Sequence, residues 1–168
     1  MEKLKVMASN ASNAKSKNWS VEYYQGGNIF VTSGTYDCNG GTIPQVNMSR
    51  YIRLNVTKDT LINIDLLADT ANTPILIVSG TWDTVIIADV NKKVKINCSS
   101  YDNRMKIYGD VVVFDCSDNG NNLTYVSQNN DILKELYCKN NAIGGYIYLN
   151  NGNLTTLDVS GCTSLEEL

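Results

Sequence analysis

Two sets of side chains in this sequence could do chemistry: its thiols and a scatter of carboxylates. The thiols are Cys38, Cys98, Cys116, Cys138 and Cys162. A thiol can ligate a metal, act as a nucleophile or pair in a disulfide, and each use needs a particular neighbour. There is no CxxC spacing and no histidine. That removes the commonest general base, the usual imidazole ligand of a metal site and every Ser-His or Cys-His pair. Cys116 and Cys138, 22 residues apart, remain a pair for which a buried apolar role, a disulfide and a metal site compete. Among the carboxylates, Asp65, Asp115 and Asp158 could imitate the acid and base of a polysaccharide-cleaving enzyme. The stretch DCSDNGNN offers Asp115, Asp118, Asn119 and Asn121 as oxygen ligands for calcium, at a spacing unlike an EF-hand loop. It reads first as a solvated turn. The glycines of GGNIF, CNGG and AIGGY lack the strand, helix and spacing of a phosphate cradle and read as turns too.

What positions these groups is set by a chain of 168 residues, enough for one domain with a real core. Its net charge is −3 with only 14 Lys and Arg, so it has no basic footprint and nucleic acid is not an expected partner. The 22 asparagines favour turns, because the Asn side chain imitates backbone and tolerates the left-handed region. Together with abundant Thr, Val and Ile they imply many short strands and many turns. The apolar runs VIIADV and VVVF are too short to cross a membrane. The opening MEKLKVMASNASNAKSKNWS lacks an apolar stretch of signal-peptide length, so either export does not use that route or a signal has been removed.

An apolar pair with one residue between its members recurs along the chain. It appears as Leu54/Val56, Ile64/Leu66, Ile75/Ile77, Val85/Ile87, Val94/Ile96, Met105/Ile107, Phe114/Cys116, Leu136/Cys138, Tyr146/Tyr148 and Leu157/Val159, with an imperfect copy at Val126/Gln128. Successive first members lie 9 to 12 residues apart and alternate ones 19 to 22 apart, and Leu168 would begin another unit. Five residues after most first members comes a turn former, as at Asp59, Asp110, Asn119 and Asn141. Each unit then reads as a short strand with alternate residues inward, followed by a turn. One such unit cannot bury its apolar face alone, so coils must stack. The expected fold class is all-β: a right-handed β-solenoid of about 20 to 22 residues per coil, its odd and even units forming two parallel sheets. A β-sandwich is the competing architecture, but it does not require the same columns in every strand.

The stretch LKELYCKNNAIGGYIYLNNGNLTTLDVSGCTSLEEL resembles bacterial leucine-rich repeats of the BspA-like surface-protein type. Leu133, Leu136, Cys138, Asn141 and Ile143 fill one form of that repeat. Leu154, Leu157, Asp158, Val159, Ser160, Cys162 and Leu165 fill the other. The match is close over residues 123–168; upstream the spacing persists with β-branched residues in place of leucine. The resemblance implies leucine-rich-repeat character, non-catalytic recognition and often adhesion, with no catalytic residues to carry over.

In this register Cys116 and Cys138 share an inward column with Val159, so buried structural thiols are the expectation, with Cys98 and Cys162 also buried. The odd-unit sheet should show Asn55, Leu76, Lys95, Asp115, Tyr137 and Asp158. The even-unit sheet should show Ile86, Lys106, Tyr108, Tyr125, Ile147 and Leu149, with Asp65 upstream. The second face is more apolar and aromatic, which marks Ile86, Tyr108, Tyr125, Ile147 and Leu149 as the candidate binding residues. The N-terminal region covering that face is the alternative. Residues 1–18 read as a flexible tail, 19–50 as an N-terminal cap, and 51–168 as the repeats, expected to continue beyond 168 or to be covered by another chain. The expected function is non-enzymatic recognition or adhesion, presenting a repeat surface to a protein or glycan partner. A structural virion protein, such as a bacteriophage fibre or decoration protein, is the alternative, and a polysaccharide-active enzyme a distant third. No cofactor, metal, nucleic acid or membrane insertion is expected. The expected setting is a cell surface, the extracellular space or a virion, as a homo-oligomer or part of a larger assembly.

Overall fold

A computed structural model describes residues 45–150 and 152–167, and the backbone of 22–25 and 28–31. The chain divides into two units, Met1–Ile43 and Pro44–Leu168. In the first, β1 (Glu22–Gln25) and β2 (Asn28–Val31) pair antiparallel. The tail expected over residues 1–18, most of the expected cap, Cys38 and Leu168 lie outside the described residues.

The second unit is all-β. Its strands are β3 (Tyr51–Val56), β4 (Leu61–Ala68), β5 (Thr73–Ser79), β6 (Trp82–Ala88), β7 (Val94–Ser99), β8 (Arg104–Tyr108), β9 (Val111–Asp115), β10 (Leu123–Asn129), β11 (Glu135–Tyr137), β12 (Gly145–Tyr146), β13 (Tyr148–Leu149), β14 (Thr156–Asp158) and β15 (Leu165–Glu167). One sheet has the order β13-β10-β3-β8-β5-β6, a second β14-β11-β9-β4-β7, and β12 pairs with β15. Alternation places Ile52, Leu54 and Val56 of β3 inward with Ile75 and Ile77 of β5 and Met105 and Ile107 of β8. From the other sheet come Ile62, Ile64, Leu66 and Ala68 of β4 with Phe114 of β9 and Leu136 of β11. All belong to one cluster, so the two large sheets enclose a single core. Burying each Ile or Leu contributes about 1.5–3 kcal/mol relative to exposure.

The two parallel sheets expected from the spacing are not what forms: both large sheets are mixed. Parallel in-register pairing joins β9, β11 and β14, which align Phe114, Leu136 and Leu157. Parallel pairing also joins β10 to β13 and, with a register shift, β12 to β15. Upstream the pairing is antiparallel throughout. The reason lies in the connections. Parallel neighbours need a crossover of about a dozen residues or more, and between β9 and β11 the chain makes one by visiting the opposite sheet as β10. Further upstream, β3 is inserted between β8 and β10, and β4 between β7 and β9, antiparallel to both neighbours. β5 and β6 form a hairpin across Gly80 and Thr81. Gly80 has φ +63°, which fits the first position of a type II′ turn.

The odd and even rule consequently fails for the first three units. Leu54 and Ile75 lie in the six-stranded sheet and Ile64 in the five-stranded one. From β6 onward the rule holds, except that β12 leaves to pair with β15. Two units also carry the opposite face inward. In β6, Trp82, Thr84, Ile86 and Ala88 turn toward the core, while Val85 and Ile87 are 55% and 52% exposed. Near β12 and β13, Ile147 is buried and Tyr146 and Tyr148 are exposed.

Candidate functional site

The thiol column sits inside the parallel stack. Cys116 and Cys138 are fully buried free thiols with their Sγ atoms 3.6 Å apart. The hydrogen bond to Cys138 and burial hold the Cys116 thiol protonated, well above its ordinary value. Burial also pushes the Cys98 and Cys162 thiols up. A protonated, shielded thiol is a poor nucleophile and a poor ligand. Among the described residues no group of three or more Cys, Asp and Glu could hold a metal. Cys98, Cys116, Cys138 and Cys162 are thus buried, as the register implied.

Beside this column runs an asparagine ladder. Asn119 Nδ2 donates to the carbonyls of Asn63 and Cys116, and Asn119 Oδ1 accepts from Asn63 N–H. Asn141 repeats this one coil on: its Nδ2 donates to the carbonyls of Cys116 and Cys138, and its Oδ1 accepts from Asn119 N–H. At the next position Cys162 Sγ donates to Cys138 O at 3.0 Å. The thiol therefore takes over one of the amide's bonds.

The outer face of the five-stranded sheet carries the carboxylates. Asp65 lies there directly opposite Asp115, not at the upstream end of the other sheet. Tyr137 separates Asp115 from Asp158 across two parallel pairings, about 9–10 Å at one strand spacing each. Each of these two aspartates caps the turn behind it: Asp115 Oδ1 accepts from Ser117 N–H, and Asp158 Oδ1 from Ser160 N–H and Oγ–H. The Ser160 bonds hold the Asp158 carboxyl below the usual range. Lys95 Nζ lies 3.7 Å from Asp65. Tyr137 donates its hydroxyl to Glu135 at 2.8 Å, which raises the phenol. These contacts are those of turns and solvated pairs.

The outer face of the six-stranded sheet is different. Strand β3 projects Tyr51, Arg53 and Asn55 outward because Ile52, Leu54 and Val56 face the core. β8 adds Arg104, Lys106 and Tyr108, and β10 adds Tyr125. Register pairs Tyr51 with Tyr108, Arg53 with Lys106, and Asn55 with both Arg104 and Tyr125. The Tyr51 and Tyr108 rings are 6.0 Å apart between centroids. Lys106 Nζ lies 5.0 Å from the Tyr51 centroid and 5.6 Å from that of Tyr108, and the Arg53 guanidinium 5.7 Å from that of Tyr125. Among the described residues no carboxylate pairs with Arg53, Arg104 or Lys106. Arg53 makes one long bond to Asn55 Oδ1 at 3.4 Å, and its Nε is shut off from solvent without an acceptor.

Of the five candidate binding residues, Tyr108 and Tyr125 lie on this face. Ile86 and Ile147 do not: the first packs half-buried against the core and the second is 3% exposed. Leu149 also packs partly buried against the core. Tyr51 and Arg53 were missed. Tyr51 sits three residues before the first apolar pair, Leu54/Val56, outside the positions from which the candidate face was read. The alternation of Tyr51, Arg53 and Asn55 against Ile52, Leu54 and Val56 is the signal that could have found them.

Comparison of the chain with protein-family models, curated proteins and solved structures finds no match.

Proposed function

We propose that this chain is a non-catalytic recognition module that presents the outer face of its six-stranded sheet to a protein or glycan at an exposed surface. One observation carries the reading: three tyrosines share a sheet face with two cations laid over their rings, and among the described residues no carboxylate pairs with those cations. Tyr and Arg are the side chains that most often anchor contacts between molecules. A cation over an exposed ring contributes about 0.5–1 kcal/mol and holds both groups in place. That placement lowers the ordering cost when a ligand arrives.

The resemblance to leucine-rich repeats belongs to the same reading. What supports it is the parallel stack of β9, β11 and β14, with Cys116 and Cys138, and Asn119 and Asn141, recurring 22 residues apart and Leu136 and Leu157 recurring 21 apart. We take residues 111–167 as a right-handed solenoid of this repeat type, continuous with the antiparallel body.

Overlay on glycan arrays and on extracted surface proteins tests the function, comparing the full chain with the Tyr51→Ala/Tyr108→Ala/Tyr125→Ala variant. The variant should lose the ligands that the wild type retains. Full retention, with loss instead on Asp65→Asn/Glu135→Gln replacement on the opposite face, would remove this face from consideration.

A further inference from the structure

We infer that the partner of this face is a polyanionic glycan, its carboxylates or sulfates seated on Arg53 and Lys106 and its sugar rings lying on the tyrosines. The inference rests on the recognition reading above and narrows it to a ligand class.

The first argument is charge. Arg53 and Lys106 are direct cross-strand partners, and like charges placed opposite each other on neighbouring strands destabilise a sheet. Arg104 adds a third cation two residues along the same face. The chain as a whole is acidic, with net charge −3, yet none of its described carboxylates forms an ion pair with these three. The tyrosine faces only partly offset the repulsion. The Arg53 guanidinium, with one long bond to Asn55 Oδ1, still lacks a charged acceptor among the described residues. A row of anions across β3 and β8 would supply what the free chain lacks, and charge-assisted hydrogen bonds are the stronger kind.

The second argument is position. The patch lies over β10, β3 and β8, each hydrogen-bonded to strands on both sides. β3, which carries Tyr51 and Arg53, is paired along both edges, so it offers no edge for strand addition, the common way an extended peptide is held on a sheet. Recognition must come from side chains on an open face, here rings and cations. Ring faces accept the apolar face of a sugar, and the cations accept its acid groups. Aromatic rings with cations can also hold single-stranded nucleic acid, but that mode relies on a broad basic groove, and this chain is acidic overall.

Titration calorimetry of the full chain decides among these. The probes are polygalacturonate, dextran sulfate, an uncharged glucan of matched length, poly-glutamate and an oligothymidylate. Polygalacturonate or dextran sulfate should bind, and the affinity should fall as salt rises from ~50 to ~300 mM because exposed charges are screened. Arg53→Gln/Lys106→Gln should weaken binding about tenfold or more without lowering the melting temperature, since it removes a like-charge pair. Several outcomes would overturn the inference. They are no binding of either acidic glycan, binding indifferent to the charge variant, or tighter binding of poly-glutamate or oligothymidylate. Uncharged glucan bound through the tyrosines alone would overturn the polyanion while leaving the recognition reading intact. Loss of the overlay ligand's dependence on the tyrosines would remove both.

Discussion

Asn140 and Asn141 are adjacent and chemically identical, yet they do opposite things. Asn140 is exposed in the left-handed region at φ 54°, which Asn tolerates better than most residues. Asn141 is 3% exposed and ties two coils together through its amide. Asn141→Ala would orphan the Asn119 N–H and leave the carbonyls of Cys116 and Cys138 with one donor each, Asn119 Nδ2 and Cys162 Sγ. An orphaned buried group costs about 1–3 kcal/mol, so the variant should lose about 1–3 kcal/mol in urea unfolding. The exposed control Asn150→Ala, which gives up one 3.3 Å contact to Asn129, should stay within about 0.5 kcal/mol. Equal effects at the two positions would show that the ladder adds nothing beyond surface hydrogen bonding. Composition pointed to these asparagines as turn formers, which is half their role. The buried half was not readable, because Asn suits a solvated turn and a sealed ladder equally well. Only the stacking of Asn119 on Asn141 distinguishes the two.

Strand β6 shows where pattern reading fails and why. Val85, Ile86 and Ile87 are three aliphatics in a row, so either alternate set could face the core. The choice is made by the two-residue turn at Gly80 and Thr81, which fixes Ser79 opposite Trp82 and so Ile75 opposite Ile86. A slip of one residue would reverse every side chain. The run Tyr146-Ile147-Tyr148 has the same ambiguity, and there Ile147 goes inward. Where only one alternate set is apolar, as in Tyr51–Val56, the inward face was readable directly. Substitution distinguishes the two registers of β6. Ile86→Asp would place a carboxylate against the core and should cost about 2 kcal/mol or more. Val85→Asp and Ile87→Asp, on the open face at the sheet edge, should each stay within about 0.5 kcal/mol. Chemical denaturation of the three variants checks this; the opposite ranking would restore the register expected from the spacing.

Across the second unit, the spacing of inward columns was readable, but strand order was not. Each core pair is set by a local alternation. The neighbours of β3, by contrast, are β8 and β10, which lie about 50 to 75 residues downstream. No local pattern encodes a pairing of that range. The order has an energetic consequence. β3 and β4 lie inside their sheets, and their inward residues are fully or almost fully buried. β14 forms the outer edge of its sheet, and Leu154, Leu157, Val159 and Leu165 around it are only half-buried. Local opening should follow this gradient, because amides leave protection where few apolar contacts must break. Hydrogen exchange read by peptide mass should therefore find the slowest amides in residues 51–56 and 61–68, and the fastest among the strands of this unit in 156–158 and 165–167. A bound acidic glycan would shift protection most over β10, β3 and β8, since binding stabilises the state that binds. It would leave the exchange of β14 nearly unchanged. Protection of 156–158 equal to that of 61–68 in the free chain would mean that this edge is covered by something other than the strands described.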